Sequence, residues 1–171
     1  MIKKKKKFNS ERLTFRRYQH GDGAEFHNAI ESNPQHLALA VEGAKQGFGL
    51  DLTTGEGCEL FVRTLIAGWE ARQRLIFPFW SKESCQFVGE LWIECKDWEQ
   101  GIHEIGYFVV QSETGKGIAT EAARAGVRFI FEHLNAHKVA LTCDEDNLPS
   151  YRVAEAAGFV REWHIRDAVQ R

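Results

Sequence analysis

The chain has no run of about 18 apolar residues, so no segment reads as a membrane-spanning helix. Its basic cluster, Lys3 to Lys7, imitates the start of a secretory signal. Phe8, Asn9, Ser10, Glu11 and Arg12 follow it, however, in place of the roughly 7–15 apolar residues such a signal needs. Export and membrane insertion are therefore not expected, and the expected location is cytoplasmic. Net charge is also scarce: 22 Lys and Arg against 24 Asp and Glu leave a formal charge of −2. Nucleic-acid affinity rests on neutralising phosphates, so no stable nucleic-acid partner is expected. Four cysteines, Cys58, Cys85, Cys95 and Cys143, form no C-x-x-C pair, which argues against a zinc ribbon or a redox dithiol. H-E-x-x-H is absent and the other histidines lack ligand spacing, so no metal is expected.

What is present suits one globular domain. With 171 residues, 43% hydrophobic and 27% charged, the chain can bury a core. Residues 1–9 read as a basic, solvated, disordered tail, and 10–171 as a single domain with no internal repeat. Arg12 to Tyr18 alternates like a first strand. A helix is expected from about Asp22 to Glu31, then a Gly-rich loop through Gly43, Gly47 and Gly49. A second helix opens at Thr53 or Thr54, with Phe61, Leu65 and Trp69 at helical intervals.

Three strands around Phe77, around Leu91 and from His103 to Val110 form an antiparallel meander with short turns. A turn then leads into a helix from about Lys116 to Leu134, a strand K-V-A-L-T-C, and a helix from Pro149 to Ala157. Strand, crossover helix and strand make a βαβ unit with parallel pairing. The expected fold class is α/β, an α+β mixed sheet with helices on both faces.

The most informative stretch is Y-F-V-V-Q-S-E-T-G-K-G-I-A-T-E, a strand passing through a tight turn into a helix. Unpaired N–H groups at a helix start carry partial positive charge and suit a pyrophosphate. Gly115 and Gly117 allow positive φ and close approach of an anion. Lys116 would add charge at the rim, and the Thr120 hydroxyl could donate to the same phosphate. The plain alternative is a turn that packs closely on the sheet. A Walker A loop fails because Lys116 is followed by Gly117 and Val110 stands where its first glycine belongs; a Rossmann fingerprint fails because Thr120 stands at its third glycine.

This turn resembles the acetyl-CoA loop of the GNAT superfamily of N-acetyltransferases, R/Q-x-x-G-x-G/A, with T-G-K-G-I-A in that place. Thr114 departs from the first position. The segment D-E-D-N-L-P-S-Y-R-V-A-E-A-A-G-F is similar to the N-x-x-S…E-x-x-G-F signature of the ribosomal-protein alanine N-acetyltransferase (RimJ/RimL-like) branch. E-R-L-T-F-R-R and H-E-I-G-Y-F-V match that branch too, so the resemblance covers roughly residues 10 to 160.

The resemblance implies acetyl-CoA as cofactor, bound by Phe108, Val109, Val110, Gln111, Thr114, Gly115, Lys116, Gly117, Ile118, Ala119, Thr120, Asn147, Ser150 and Tyr151. It also implies a strand splayed from its parallel neighbour to admit the pantetheine arm, with an N–H near Phe108 or Val109 as oxyanion donor. The usual acid tyrosine is replaced by Ala154. Ser150 becomes the nominated acid, with Tyr151 second and simple helix capping as the alternative. Asn147 would fix the pantetheine amides or be only a turn residue. Glu104 is the first choice of base, Glu94 another, and the alternative for Glu104 is an exposed strand carboxylate. His103, adjacent, points to the opposite face.

The implied reaction is transfer of acetyl to a primary amine by direct attack in a ternary complex. The branch suggests a protein N-terminal α-amine. A small-molecule amine, such as a polyamine or antibiotic, and a non-catalytic acyl-CoA-binding module are the alternatives. Trp69, Phe79, Trp80, Trp92 and Trp98 could line the acceptor groove or pack the core. A homodimer is compatible with all of this. The short segment after Phe159 leaves room for one strand of the family's closing hairpin, and only a short second one.

Overall fold

The computed structural model describes residues 6–70 and 74–164. Its sheet has six strands in sequential order: β1 (Lys7–Asn9), β2 (Leu13–Arg16), β3 (Arg74–Ser81), β4 (Phe87–Asp97), β5 (Ile102–Val109) and β6 (Lys138–Ala140). Pairs β1 to β5 are antiparallel, and β5 pairs with β6 in parallel. The helices are α1 (Gly23–Ser32), α2 (Ala38–Phe48), α3 (Gly55–Glu70), α4 (Ile118–His133) and α5 (Leu148–Ala157). A mixed sheet with an antiparallel meander and a terminal βαβ unit is what the period-two and helical patterns predict.

Side chains alternate across the strands and build two cores. Phe77, Phe79, Leu91, Ile93 and Ile105 face α4, where Ala122, Ala123, Phe129 and Ile130 meet them, and residues of α5 pack on the same side. Ile76, Trp80, Trp92 and Phe108 face the other way, against Phe26 and Ile30 of α1 and Phe61, Val62 and Leu65 of α3. Burying a residue such as Phe77, fully covered, contributes roughly 1.5–3 kcal/mol. Trp69 and Phe79, offered above as groove residues, lie in the α4-side core at 2% and 0% exposure.

Two expectations change. Lys7–Asn9, assigned to the tail, form β1, because Phe8 is apolar enough to anchor the segment: it is buried and stacks on Phe15 with centroids 4.5 Å apart. Residues 1–5 lie outside the described residues. The stretch through Gly43 and Gly47 is helix α2, ended by Gly49 in the left-handed region at φ 68°; buried Ala44 and partly buried Val41 dock it, and packing overrides weak propensity. Residues 159–164 form no strand; whether a closing strand follows, left open by the sequence, falls on 165–171, outside the described residues.

A buried carboxyl ties the α1 side to the sheet. Glu90 on β4, 5% exposed, accepts the Tyr18 hydroxyl at 2.6 Å. Burial pushes its pKa up to about 7, although the Tyr18 bond and the Arg74 charge pull the other way. A carboxyl whose pKa is raised on folding gives stability that is complete below the unfolded pKa, near 4.3, and is lost as pH rises through about 7. Glu90→Gln should remove that slope. The stability difference between wild type and Glu90→Gln, measured by urea denaturation, should move by roughly 2–4 kcal/mol between pH 5 and pH 8, against the wild type at the higher pH. A difference independent of pH contradicts the assignment. His103 acts in the opposite direction: burial lowers its pKa, with the Gly101 backbone countering, so its contribution is lost as pH falls.

Candidate active site

Beyond Val109 the chain makes one 3-10 turn, Gln111–Glu113, then places Gly115 at φ 74° and Gly117 at φ 76°, both in the left-handed region. Gly117 is the N-cap of α4 and supplies no side chain to the helix start. The first turn of α4 therefore presents backbone N–H groups with no intrahelical partner. A Cβ at Gly115 would meet nothing within 4 Å, so open space lies against this cradle. Lys116 Nζ sits 3.1 Å from Glu113, at the rim. The Thr114 hydroxyl donates to Gln111 O at 2.8 Å and so braces the turn, at the position where the family pattern carries Arg or Gln.

The turn is held from outside by a group that sequence reading missed. Glu121, in the first turn of α4, accepts from Ser10 Oγ (2.6 Å), Arg12 N (2.7 Å) and Arg12 Nε (2.6 Å). Arg12 Nη1 in turn donates to Lys116 O at 3.0 Å. Burial would raise the Glu121 pKa, but bonds from Ser10 and Arg12 and the Arg12 charge hold it below the usual range.

Next to the turn, β5 is open. β6 pairs with it only at Ile102, His103 and Glu104, so among the described residues no strand lies beside the edge from Ile105 onward. Val110 N–H donates to Val88 O at 3.0 Å, in the register that aligns Val109 with Gly89 and Phe108 with Glu90. Antiparallel ladders alternate, so Phe108 spends its N–H and C=O on β4 while Tyr107 and Val109 point theirs to the open edge. Of the two oxyanion candidates, Val109 is the one whose N–H is available. The Phe108 ring is packing, 6.4 Å from Phe26 and 6.3 Å from Phe87.

The start of α5 faces this opening. Asn147 is its N-cap, the side chain accepting from Ser150 N at 3.2 Å. One end of Asn147 is thus spent on the helix, as the turn reading of D-N-L-P has it. Ser150 is half-buried, and Tyr151 lies under the Arg161 guanidinium at 5.9 Å. Tyr107, unremarked in the sequence, extends from the open edge with its hydroxyl 3.5 Å from Ser150 O. Burial pushes its pKa up to about 12, with the Ser150 contact opposing, so the phenol keeps its proton at neutral pH. Its period-two relation to Ile105 and Val109 was the available signal.

Glu104 lies farther along. Its carboxylate is 2.8 Å from Lys96, beside Glu94, which also pairs with Arg74. Five residues of strand, about 16 Å, separate it from Val109. The Trp92 indole intervenes, covering Gly106 so closely that a Cβ there would lie 2.2 Å from the ring. A separate open cleft of about 680 Å³, lined by His20, His27, Glu59 and Arg63 among others, contains none of the turn or edge residues. Among the described residues no cluster of three or more metal-ligating side chains occurs, and no helix is long and apolar enough to cross a membrane.

The family model described as "Acetyltransferase (GNAT) domain" matches residues 12–160. YnaD of Bacillus subtilis, an uncharacterized N-acetyltransferase, is 30% identical over 95 residues, 56% of this chain and 55% of YnaD; the chain spans about half the length of the curated relatives it matches. A GNAT-family acetyltransferase structure from Bacillus anthracis superposes with a TM-score of 0.76 at 25% identity, covering 95% of this chain and 89% of that one. RimL, a ribosomal L7/L12 alpha-N-protein acetyltransferase in complex with coenzyme A, shares the fold at a TM-score of 0.80 and 18% identity, over 94% of this chain and 87% of that one.

Proposed function

The chain belongs to the GNAT acetyltransferase family, and on that premise we propose that it transfers acetyl from acetyl-CoA to a primary amine, most readily a protein N-terminal α-amine. The observation that carries the reading is the continuity of the open β5 edge with the glycine turn: hydrogen-bonding backbone for an extended amide arm, then bare N–H groups for a pyrophosphate.

The residues fit acetyl-CoA. The N–H groups opening α4, with Gly115, Lys116, Gly117, Ile118, Ala119 and Thr120, would hold the phosphates, and Val110, Gln111 and Thr114 shape the approach. The backbone of Tyr107 would pair with the arm, and Asn147, Ser150 and Tyr151 would flank it from α5. When bound, the cofactor supplies an acetyl thioester, reactive toward amines. Val109 N–H polarises the carbonyl as charge develops on its oxygen. Ser150 or its neighbour Tyr107, protonated at neutral pH, returns a proton to the departing thiolate. Glu104, held by Lys96 and about 16 Å along the strand from Val109, adds negative charge on the acceptor side without reaching the reacting amine.

The α-amine acceptor is supported by the N-x-x-S…E-x-x-G-F segment and by the likeness to RimL, an alpha-N-protein acetyltransferase. Free-thiol release from acetyl-CoA tests it across peptides with free N-termini, the same peptides N-terminally blocked, and polyamines. Release that needs the free peptide terminus supports the proposal. Release with polyamines alone overturns the peptide acceptor, and cofactor binding without acceptor-dependent release overturns the enzyme.

A further inference from the structure

Two side chains of the loop between α1 and α2 reach over the open end of β5. Asn33, 8% exposed, accepts from Gln111 N at 2.9 Å. His36 places Nε2 2.8 Å from Val109 O. A carbonyl oxygen can only accept, so this contact puts the ring proton on Nε2 and leaves the lone pair of the neutral imidazole on Nδ1. His36 is exposed, and Nδ1 has no hydrogen-bond partner among the described residues. The arrangement has the form of a base oriented by a third group, with a main-chain carbonyl as the orienter.

We propose that His36 is the general base of the acetyl transfer, its Nε2–H anchored on Val109 O and its Nδ1 directed to the acceptor amine. The inference rests on the acetyltransferase reading above. Val109 projects its N–H and its C=O to the same edge, so a thioester carbonyl held on that N–H lies beside the imidazole. Glu104, by contrast, is about 16 Å away along the strand and engaged with Lys96.

In the step, the amine nitrogen forms a C–N bond to the thioester carbon and passes a proton to His36 Nδ1. The C–S bond breaks with its electron pair on sulfur, and the thiolate takes a proton from the α5 side. Imidazolium then releases its proton to solvent, and solvent returns one to the α5-side hydroxyl. Amine and acetyl-CoA become amide and free thiol, with no other reactant.

The test uses the full chain with His36→Gln, which keeps a donor for Val109 O but cannot take the proton, and with His36→Ala. Calorimetric titration with acetyl-CoA should give affinities within about 3-fold of wild type, whereas kcat should fall about 10²–10⁴-fold in both variants. Added imidazole should restore part of the His36→Ala turnover, saturably. Independently of activity, the His36 nitrogen resonances should report the Nε2–H tautomer in the wild-type chain. His36→Gln turnover within about 5-fold of wild type, a loss explained wholly by weaker acetyl-CoA binding, or the Nδ1–H tautomer overturns the proposal. A wild-type chain that binds acetyl-CoA and transfers nothing overturns the acetyltransferase reading instead, so the two failures are distinct.

Discussion

Gly117→Asp is expected to weaken acetyl-CoA binding by at least about 100-fold, close to 3 kcal/mol, while the chain remains folded. Gly117 holds φ 76° at the N-cap of α4, and a Cβ there would meet only the Arg12 guanidinium at an ordinary 3.6 Å. Asp tolerates the left-handed region better than most residues, so the strain is about 1 kcal/mol or less and the melting temperature should drop by only about 2–4 °C. The carboxylate would nevertheless stand where the N–H groups await phosphates, and its repulsion acts at short range. Gly117→Asn, equal in shape and neutral, should lose about 10-fold. Calorimetry on the three proteins separates charge from strain; equal losses for Asp and Asn would mean that the anion cradle is elsewhere.

The second large effect is expected at Glu121. Glu121→Ala removes an acceptor used three times, by Ser10 Oγ and by the backbone and side chain of Arg12. Hydrogen bonds to a charged group contribute roughly 1.5–3 kcal/mol each but do not add fully when they share an atom. About 3 kcal/mol of stability should go, or about 6–12 °C in Tm for a chain of this size. Arg12 would be released as well, and its bond to Lys116 O with it, so acetyl-CoA affinity should fall by about 10-fold through a looser turn. Glu121→Gln should keep part of both. Because the Glu121 pKa is lowered in the fold, its contribution is present above the unfolded carboxyl pKa and disappears as pH falls through the folded one. A Tm within about 2 °C of wild type in Glu121→Ala would show the contact to be incidental.

The fold was legible wherever burial enforces a period. Phe77, Phe79, Leu91, Ile93 and Ile105 alternate because one sheet face meets α4, and α4 itself repeats at helical spacing. The tail at Phe8 and the helix through Gly43 were not legible, since each depends on what docks against it: Phe15 in one case, the α1 and α3 layer in the other. At the candidate site the glycine turn was readable because positive φ and a bare helix start demand particular residues. His36, Tyr107 and the Glu121 brace were not, since their meaning comes from partners 73, 43 and up to 111 residues away in sequence. Phe108 against Val109 is a matter of hydrogen-bond phase, which only the register reveals.

In the proposed reaction an acetyl group leaves a thioester held on β5 and the α4 turn and arrives on an amine. Mass spectrometry of a free-N-terminal peptide after incubation with the full chain and acetyl-CoA labelled in the acetyl group tests this most directly. Labelled acetyl is expected on the peptide α-nitrogen, at a rate that at subsaturating acetyl-CoA falls by at least about 100-fold in Gly117→Asp. Label that stays on the cofactor, or appears as acetate equally fast with and without peptide, would contradict it.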